Sequence, residues 1–309
     1  MAENATGSVS AVVPSLNGLE LLRRSLPALV TALGAANVCV VDDAGSDGTI
    51  DMLRREFPEV RAIARETNGG FSVAVNQGIR AADADLIVLL NNDVEVSAGF
   101  LDPILPLFDD ETVFAASPRI LLPTRGNIDE GCKTGYWHRG VFYTSQKQGV
   151  SQVSPALYSN GCASVYRRSM LAELGGFDEA YSPFYWEDTD LGYRAWKRGW
   201  KSLYQPGSTV VHQHSASISR FDPARTKRTQ LRNAFMFVWR NIDDPTLIRS
   251  HRRWLPVVLA RKAAERDWAW VLGWSEAFRR RRECVAARIQ DSKTRRLTDA
   301  EILGLCTGS

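Results

Sequence analysis

The chain has 309 residues, of which 44% are hydrophobic and 24% charged, with a formal net charge of +3; these values are ordinary for a soluble globular protein and exclude disordered and fibrous classes. That length can bury a sizeable core and suits one large α/β domain with an appendage. Five scattered cysteines, at positions 39, 132, 162, 284 and 306, and a start, MAENATGS, without a basic and then apolar leader predict a cytoplasmic protein with no disulfide framework, no zinc site and no export signal.

In chain order, residues 1–8 are expected to lie outside the fold. Residues 9–14, 38–42, 60–65 and 86–91 are short runs rich in β-branched or aliphatic side chains, and 19–33, 49–57 and 71–82 carry apolar residues at helical spacing between them. The order βαβαβαβ predicts a mostly parallel sheet covered by helices, whose ligands sit at the carboxyl ends of the strands. Residues 124–155 turn Gly-rich and aromatic and are expected to form a long irregular loop or lid. Next come a strand at 164–167, a short helix capped by Ser169 and ended by Gly175 and Gly176, a helix at 189–198, and strands at 202–205 and 210–212. Beyond about 223 the pattern is helical, with start signals at Asp244–Pro245 and a capping box at Thr298 and Glu301.

Polar residues gather at the predicted strand ends. VVDDAGSDGT, residues 40–49, ends a strand in Asp42 and Asp43, either of which could accept hydrogen bonds from a base or ribose, whereas Asp47 suits a helix cap. The adjacent glycines of TNGGFSVAVNQGI, residues 67–79, would let backbone approach a phosphate at a helix start. LIVLLNNDVEV, residues 86–96, runs into Asn91, Asn92 and Asp93, and alternation along an extended chain would point Asn91 and Asp93 the same way. Hard cations bind through one or two carboxylates plus substrate phosphates, which makes Asp93 the candidate ligand for Mg²⁺ or Mn²⁺. In GGFDEAYSPFYWEDTDLGYRAWKRGW, residues 175–200, Glu187 and Asp188 stand beside Tyr185 and Trp186. A carboxylate against aromatic surface has the raised pKa of a general base, a role that falls to Asp188; aromatic faces suit the C–H face of a sugar, and Asp190 fits a structural place at the helix start. VVHQHSAS, residues 210–217, offers His212 or His214 as a further metal ligand.

Taken in order, these motifs resemble the family 2 glycosyltransferases, which have the GT-A fold, over roughly residues 9–221. The resemblance matches Pro14 and Asn17 to the family's first nucleotide-binding strand end and Asp42 with Asp43 to its acidic pair. Asn68, Gly70 and Phe71, with Asn76, fall on its N-x-G-F element, and Asn160, Gly161 and Cys162 on the loop lining the donor-sugar and acceptor pocket. Asn91, Asn92 and Asp93 stand at the D-x-D element, with an amide where the first carboxylate is usual, so the cation should bind mainly together with the nucleotide diphosphate. Glu187 and Asp188 match the E-D element, and His212 the metal-binding histidine. The implied chemistry is an inverting, one-step transfer from a dTDP- or UDP-sugar to a hydroxyl of a glycan or lipid-linked acceptor. The N-N-D and W-E-D patterns look most like rhamnosyltransferase-type members that build cell-surface polysaccharide.

Residues 222–309 are read as a basic helical extension, because from Phe221 to Ser309 there are 19 Lys and Arg against 10 Asp and Glu. Five of the nine tryptophans also lie there, so this part is expected either to meet an anionic membrane from the cytoplasmic side or to pack through Trp254, Trp268, Val271, Trp274 and Phe278 on the catalytic part or on a second subunit. No nucleic-acid module accompanies the charge. A sugar-phosphate nucleotidyltransferase and a non-catalytic nucleotide-sugar module are the rival readings.

Overall fold

The computed structural model describes residues 7–213 and 222–307. His214 and the expected end of the catalytic part at 221 lie outside the described residues. Four parallel strands, β1 (Val9–Ser15), β2 (Val38–Asp42), β3 (Arg61–Ala64) and β4 (Leu86–Leu90), stand in the order β3-β2-β1-β4 and are joined by α1 (Leu19–Leu33), α2 (Thr49–Glu56) and α3 (Phe71–Ala81). β2 and β4 are buried along their whole length, as the unbroken apolar runs require, whereas β3 at the sheet edge is half exposed.

The same sheet continues with strands of mixed direction. β5 (Val94–Val96), β6 (Val113–Leu122), β7 (Ile128–Asp129), β10 (Ser154–Pro155), β11 (Ala163–Arg167) and β12 (Lys201–His212) join it, while β8 (Lys133–His138) and β9 (Val141–Gln146) pair only with each other. β11 is antiparallel to both β4 and β6, and β12 runs parallel to β6. β6 has no counterpart among the sequence expectations, since Ser117, Pro118 and Arg119 interrupt its apolar pattern. The proline is tolerated where the partner strand breaks register, between Gln205 and Thr209. That bulge also explains why the two strands expected at 202–205 and 210–212 are one.

Further boundaries differ. Residues 124–155 are not an irregular lid: they hold the β8–β9 hairpin, turned at Arg139 and Gly140 with φ of 45° and 75°, the left-handed pair that a two-residue hairpin needs. Ser169 lies inside α4 (Arg168–Leu174) and does not cap it, but Gly175, with φ 77°, ends it as expected. α5 (Glu187–Lys197) starts two residues before the expected 189 and so takes Glu187 and Asp188 into its first turn.

The C-terminal part forms α6 (Pro223–Asn241), α7 (Pro245–Ala264), α8 (Trp268–Asp291) and α9 (Asp299–Thr307). Asp244 caps α7 by accepting from the Thr246 and Leu247 N–H groups, and Thr298 with Glu301 forms the expected capping box. These helices share one aromatic core with the hairpin and α5: the Phe237 ring lies 4.8 Å from Phe142 and 5.2 Å from both Trp186 and Tyr193. Pairs of this kind contribute about 0.5–1.5 kcal/mol beyond area burial. The aromatic residues of this part differ in burial. Trp239 and Trp270 are buried and Trp254 and Trp274 half-buried, whereas Trp268 and Phe278 are more than half exposed. All five cysteines are buried and free, and no helix among the described residues is long and apolar enough to cross a membrane.

Candidate functional site

At the carboxyl end of β2, Asp42 is buried; its Oδ2 accepts from the Gly45 N–H at 3.0 Å, and its Oδ1 has no partner. Burial pushes its carboxyl above the ordinary value against that one hydrogen bond. Asp43 is used differently. It takes the Arg65 guanidinium at 2.8 Å and the N–H groups of Gly69 and Gly70 at 2.9 and 2.8 Å, so its charge folds the glycine turn. Pro14 is buried in β1 beside Val41, and Asn17, at φ 50°, accepts from the Ser46 N–H. Asp47 bonds the Leu19 and Thr49 N–H groups, joining the starts of α1 and α2.

Gly70 must be glycine for a reason other than closeness to phosphate. Its φ is 85°, and a Cβ there would stand 2.8 Å from the Cα and O atoms of Pro183. Phe71 donates its N–H to the Pro183 carbonyl, and its ring meets Phe177 edge-on. The turn is thereby clamped to the segment leading into α5. Asn76 is spent on the same joint, exchanging hydrogen bonds with the Phe177 backbone and reaching Glu179 at 3.0 Å. Asn68 is exposed.

After β4 the chain does not stay extended. Residues 91–94 form a turn closed by Val94 N–H to the Asn91 carbonyl, so alternation does not align Asn91 with Asp93. Asn92 donates to Ser15 Oγ, which ties the end of β4 to that of β1. Asp93 is buried, and its Oδ1 lies 3.2 Å from His212 Nε2 because β5 pairs with the end of β12. Burial lowers the imidazole pKa, but Cys162 and Asp93 outweigh it and lift the value to about 10.

Residues 160–162 link this pair to the acidic helix start. The Asn91 N–H donates to the Cys162 carbonyl, Asn160 Oδ1 takes the Cys162 N–H, and the Gly161 N–H donates to Asp188 Oδ2 at 3.1 Å. Asp188 Oδ1 also accepts from its neighbour Thr189. Burial raises the Asp188 carboxyl, restrained chiefly by the Gly161 N–H; Glu187, buried beside that charge and with Oε2 unpartnered, is pushed well above the usual carboxylate range. Asp190 is structural, held by Arg194, Tyr181 and Asn241. Trp186 turns into the aromatic core against Phe142 and Phe237.

Sequence reasoning missed one residue that sets this geometry. Tyr185 and Trp186 both have left-handed backbones, φ 73° and 77°, a strained pair just ahead of the two carboxylates. Fully buried Asn233 of α6 holds the segment by donating to the carbonyls of Tyr181, Phe184 and Tyr185 at 2.7, 3.1 and 2.8 Å. Nothing local in the sequence marks it; its only signal is a polar residue on an otherwise apolar helical stretch.

Among the described residues no cluster of three or more His, Cys, Asp or Glu side chains could hold a metal. The Asp93–His212 pair supplies one carboxylate oxygen and, once the imidazole proton is displaced, one ring nitrogen, which fits an ion whose remaining ligands come from a diphosphate.

The family model described as "Glycosyltransferase like family 2" matches residues 6–233. An N-acetylglucosaminyl-diphospho-decaprenol L-rhamnosyltransferase of Mycobacterium tuberculosis is 29% identical over 230 residues, 65% of this chain and 74% of the relative. A pre-mycofactocin glycosyltransferase of the same organism is 29% identical over 268 residues, 85% of this chain but about half (52%) of that protein. Among solved structures, GalNAc-T7 with UDP, GalNAc and Mn²⁺ superposes with a TM-score of 0.60 at 18% identity, covering 76% of this chain and 48% of that one. The Pyrobaculum calidifontis mannosyltransferase PcManGT with GDP-Man and Mn²⁺ gives 0.56 at 16% identity, covering 94% and 86%. With a mixed, mostly parallel sheet and a family match over most of its length, the chain belongs to glycosyltransferase family 2: it is a nucleotide-sugar glycosyltransferase with a GT-A fold.

Proposed function

We propose that this glycosyltransferase inverts the anomeric configuration of its donor, a dTDP- or UDP-sugar of the rhamnose type, on transfer to a hydroxyl of a glycan or lipid-linked acceptor. The observation that carries the reading is the 160–162 segment, which hydrogen-bonds to Asp188 on one side and adjoins the Asp93–His212 pair on the other. A proton acceptor and a diphosphate-binding pair then face one reacting centre. Support also comes from the similar protein named N-acetylglucosaminyl-diphospho-decaprenol L-rhamnosyltransferase.

Asp42 receives the base or ribose through its free Oδ1, while Asp43, Asn76 and Asn92 keep the cleft in shape. Asp93 and His212 would hold Mg²⁺ or Mn²⁺, which when bound neutralises charge on the departing diphosphate. Asp188 removes the acceptor proton as the hydroxyl attacks from the face opposite the nucleotide, hence inversion. The raised carboxyl suits that work, and the Gly161 N–H aims its second oxygen. Glu187, raised further by burial beside Asp188, gives up its proton less readily than an ordinary carboxyl. The decisive experiment follows transfer from dTDP-rhamnose and UDP-sugars by NMR of the product anomer. Inversion with loss of turnover in Asp188→Asn supports the reading, whereas retention, or turnover unchanged in that variant, removes it.

A further inference from the structure

Between α6, α7 and α8 lies a second cavity, of about 130 Å³, that shares no lining residue with the transfer site. Its wall is aromatic. Trp239 and Trp274 both contact Phe278, at ring distances of 6.3 and 5.2 Å, and Phe278 itself is 52% exposed at the mouth. An apolar cavity of about 150 Å³ accepts a benzene-sized ligand, so several methylene groups fit here.

Three guanidinium groups also line it, Arg252, Arg281 and Arg288. Among the described residues none of the three forms an ion pair with a carboxylate, although Arg288 donates to the Ile242 carbonyl. Burial draws the half-buried Arg288 below its ordinary value; Asp243 and Asp299 oppose this from further off, and Arg281 and Arg252 add to it. Cations without ion-pair partners beside an apolar wall are complementary to an anionic oxygen group that carries a hydrocarbon chain.

We propose that this cavity binds one phosphate-headed lipid, with the phosphate among Arg252, Arg281 and Arg288 and the start of the chain along Trp239, Trp274 and Phe278. The site lies outside the transfer cleft, and it stands or falls independently of the anomeric outcome proposed above. Binding recruits the protein to single lipid molecules through a pocket; a diffuse basic face would show no preference for an alkyl chain.

The test is a titration of the full chain with monomeric dodecyl phosphate, read by quenching of tryptophan fluorescence, beside inorganic phosphate and dodecyl maltoside. Wild type should bind dodecyl phosphate, and the double variant Arg252→Glu, Arg281→Glu should bind it about tenfold more weakly or worse, as lost charge-assisted hydrogen bonds require. Equal affinity in wild type and double variant would overturn the proposal. So would equal binding of dodecyl maltoside, which would mean an apolar hole alone, or of inorganic phosphate, which would mean an ion site alone. Because Phe278 is exposed, Phe278→Ser serves as an independent variant that spares the charges; it should weaken dodecyl phosphate and leave the thermal midpoint in place, and unchanged affinity there also counts against the site.

Discussion

Under the proposed function, the two sides of the candidate site treat polar residues in opposite ways. On the donor side, from β1 to the end of β4, the conspicuous motif residues are largely consumed by the protein itself: Asp43 by Arg65 and two glycine N–H groups, Asn76 by the Phe177 backbone, Asn92 by Ser15, and Asp47 by two helix starts. On the acceptor side, Glu187 keeps an oxygen unpartnered, Asp188 is held by backbone N–H donors with no cation within ion-pair distance among the described residues, and both are shifted upward by burial. Dense motifs therefore mark loop construction as often as chemistry. Unspent, desolvated carboxylates are the candidates for chemistry.

This contrast can be broken by substitution. The largest effect belongs to the acceptor side: Asp188→Asn should lower turnover by roughly 10²–10⁴, the usual worth of a general base, with nucleotide-induced thermal stabilisation retained. Wild-type turnover should follow the same group. Since the folded-state carboxyl is raised, the active, deprotonated form is fully present above that raised value and is lost as pH falls through it, so the acidic limb of the rate profile should lie above the ordinary aspartate range. An acidic limb at that ordinary range would transfer the base role elsewhere.

Asp43→Ala comes next, and its effect is on folding. Removing a carboxylate that is paired with Arg65, the latter only 17% exposed, should cost about 3 kcal/mol in urea denaturation. If stability held and only nucleotide affinity fell, Asp43 would belong with the ligand and the contrast would weaken. Asn233→Ala should cost about 2 kcal/mol by leaving three carbonyls of the 181–185 segment without their donor. It should also lower turnover more than donor affinity, because Asn233 positions Asp188 from behind. Asp47→Ala is the mildest, about 1 kcal/mol for a lost cap, with transfer rate unchanged at a temperature well below the melting point.

Parts of this architecture were legible in the chain. Alternating apolar runs and helical periods gave β1 to β4 and α1 to α3 to within about two residues, since a buried parallel strand cannot hide its composition and a helix between two such strands must be amphipathic. Asp244 and Thr298 announced their helices because capping is a local transaction between neighbours. β6 was hidden by its interior serine, proline and arginine, which are tolerated because the partner strand bulges beside them. The hairpin at 133–146 read as irregular because its alternating faces meet helices far along the chain.

Residue types and their order determined the first four strands, the starts of α1 to α3, α7 and α9, the family and the short list of carboxylates, because these depend on neighbours within a few positions. Which carboxylate stays free, where the Gly161 amide points, and how Asn233 fixes a strained segment nearly fifty residues away were decided only when distant elements packed together. Burial and hydrogen-bond partnership are properties of the assembled interior, and they shift the carboxyls of two adjacent acids, Glu187 and Asp188, upward.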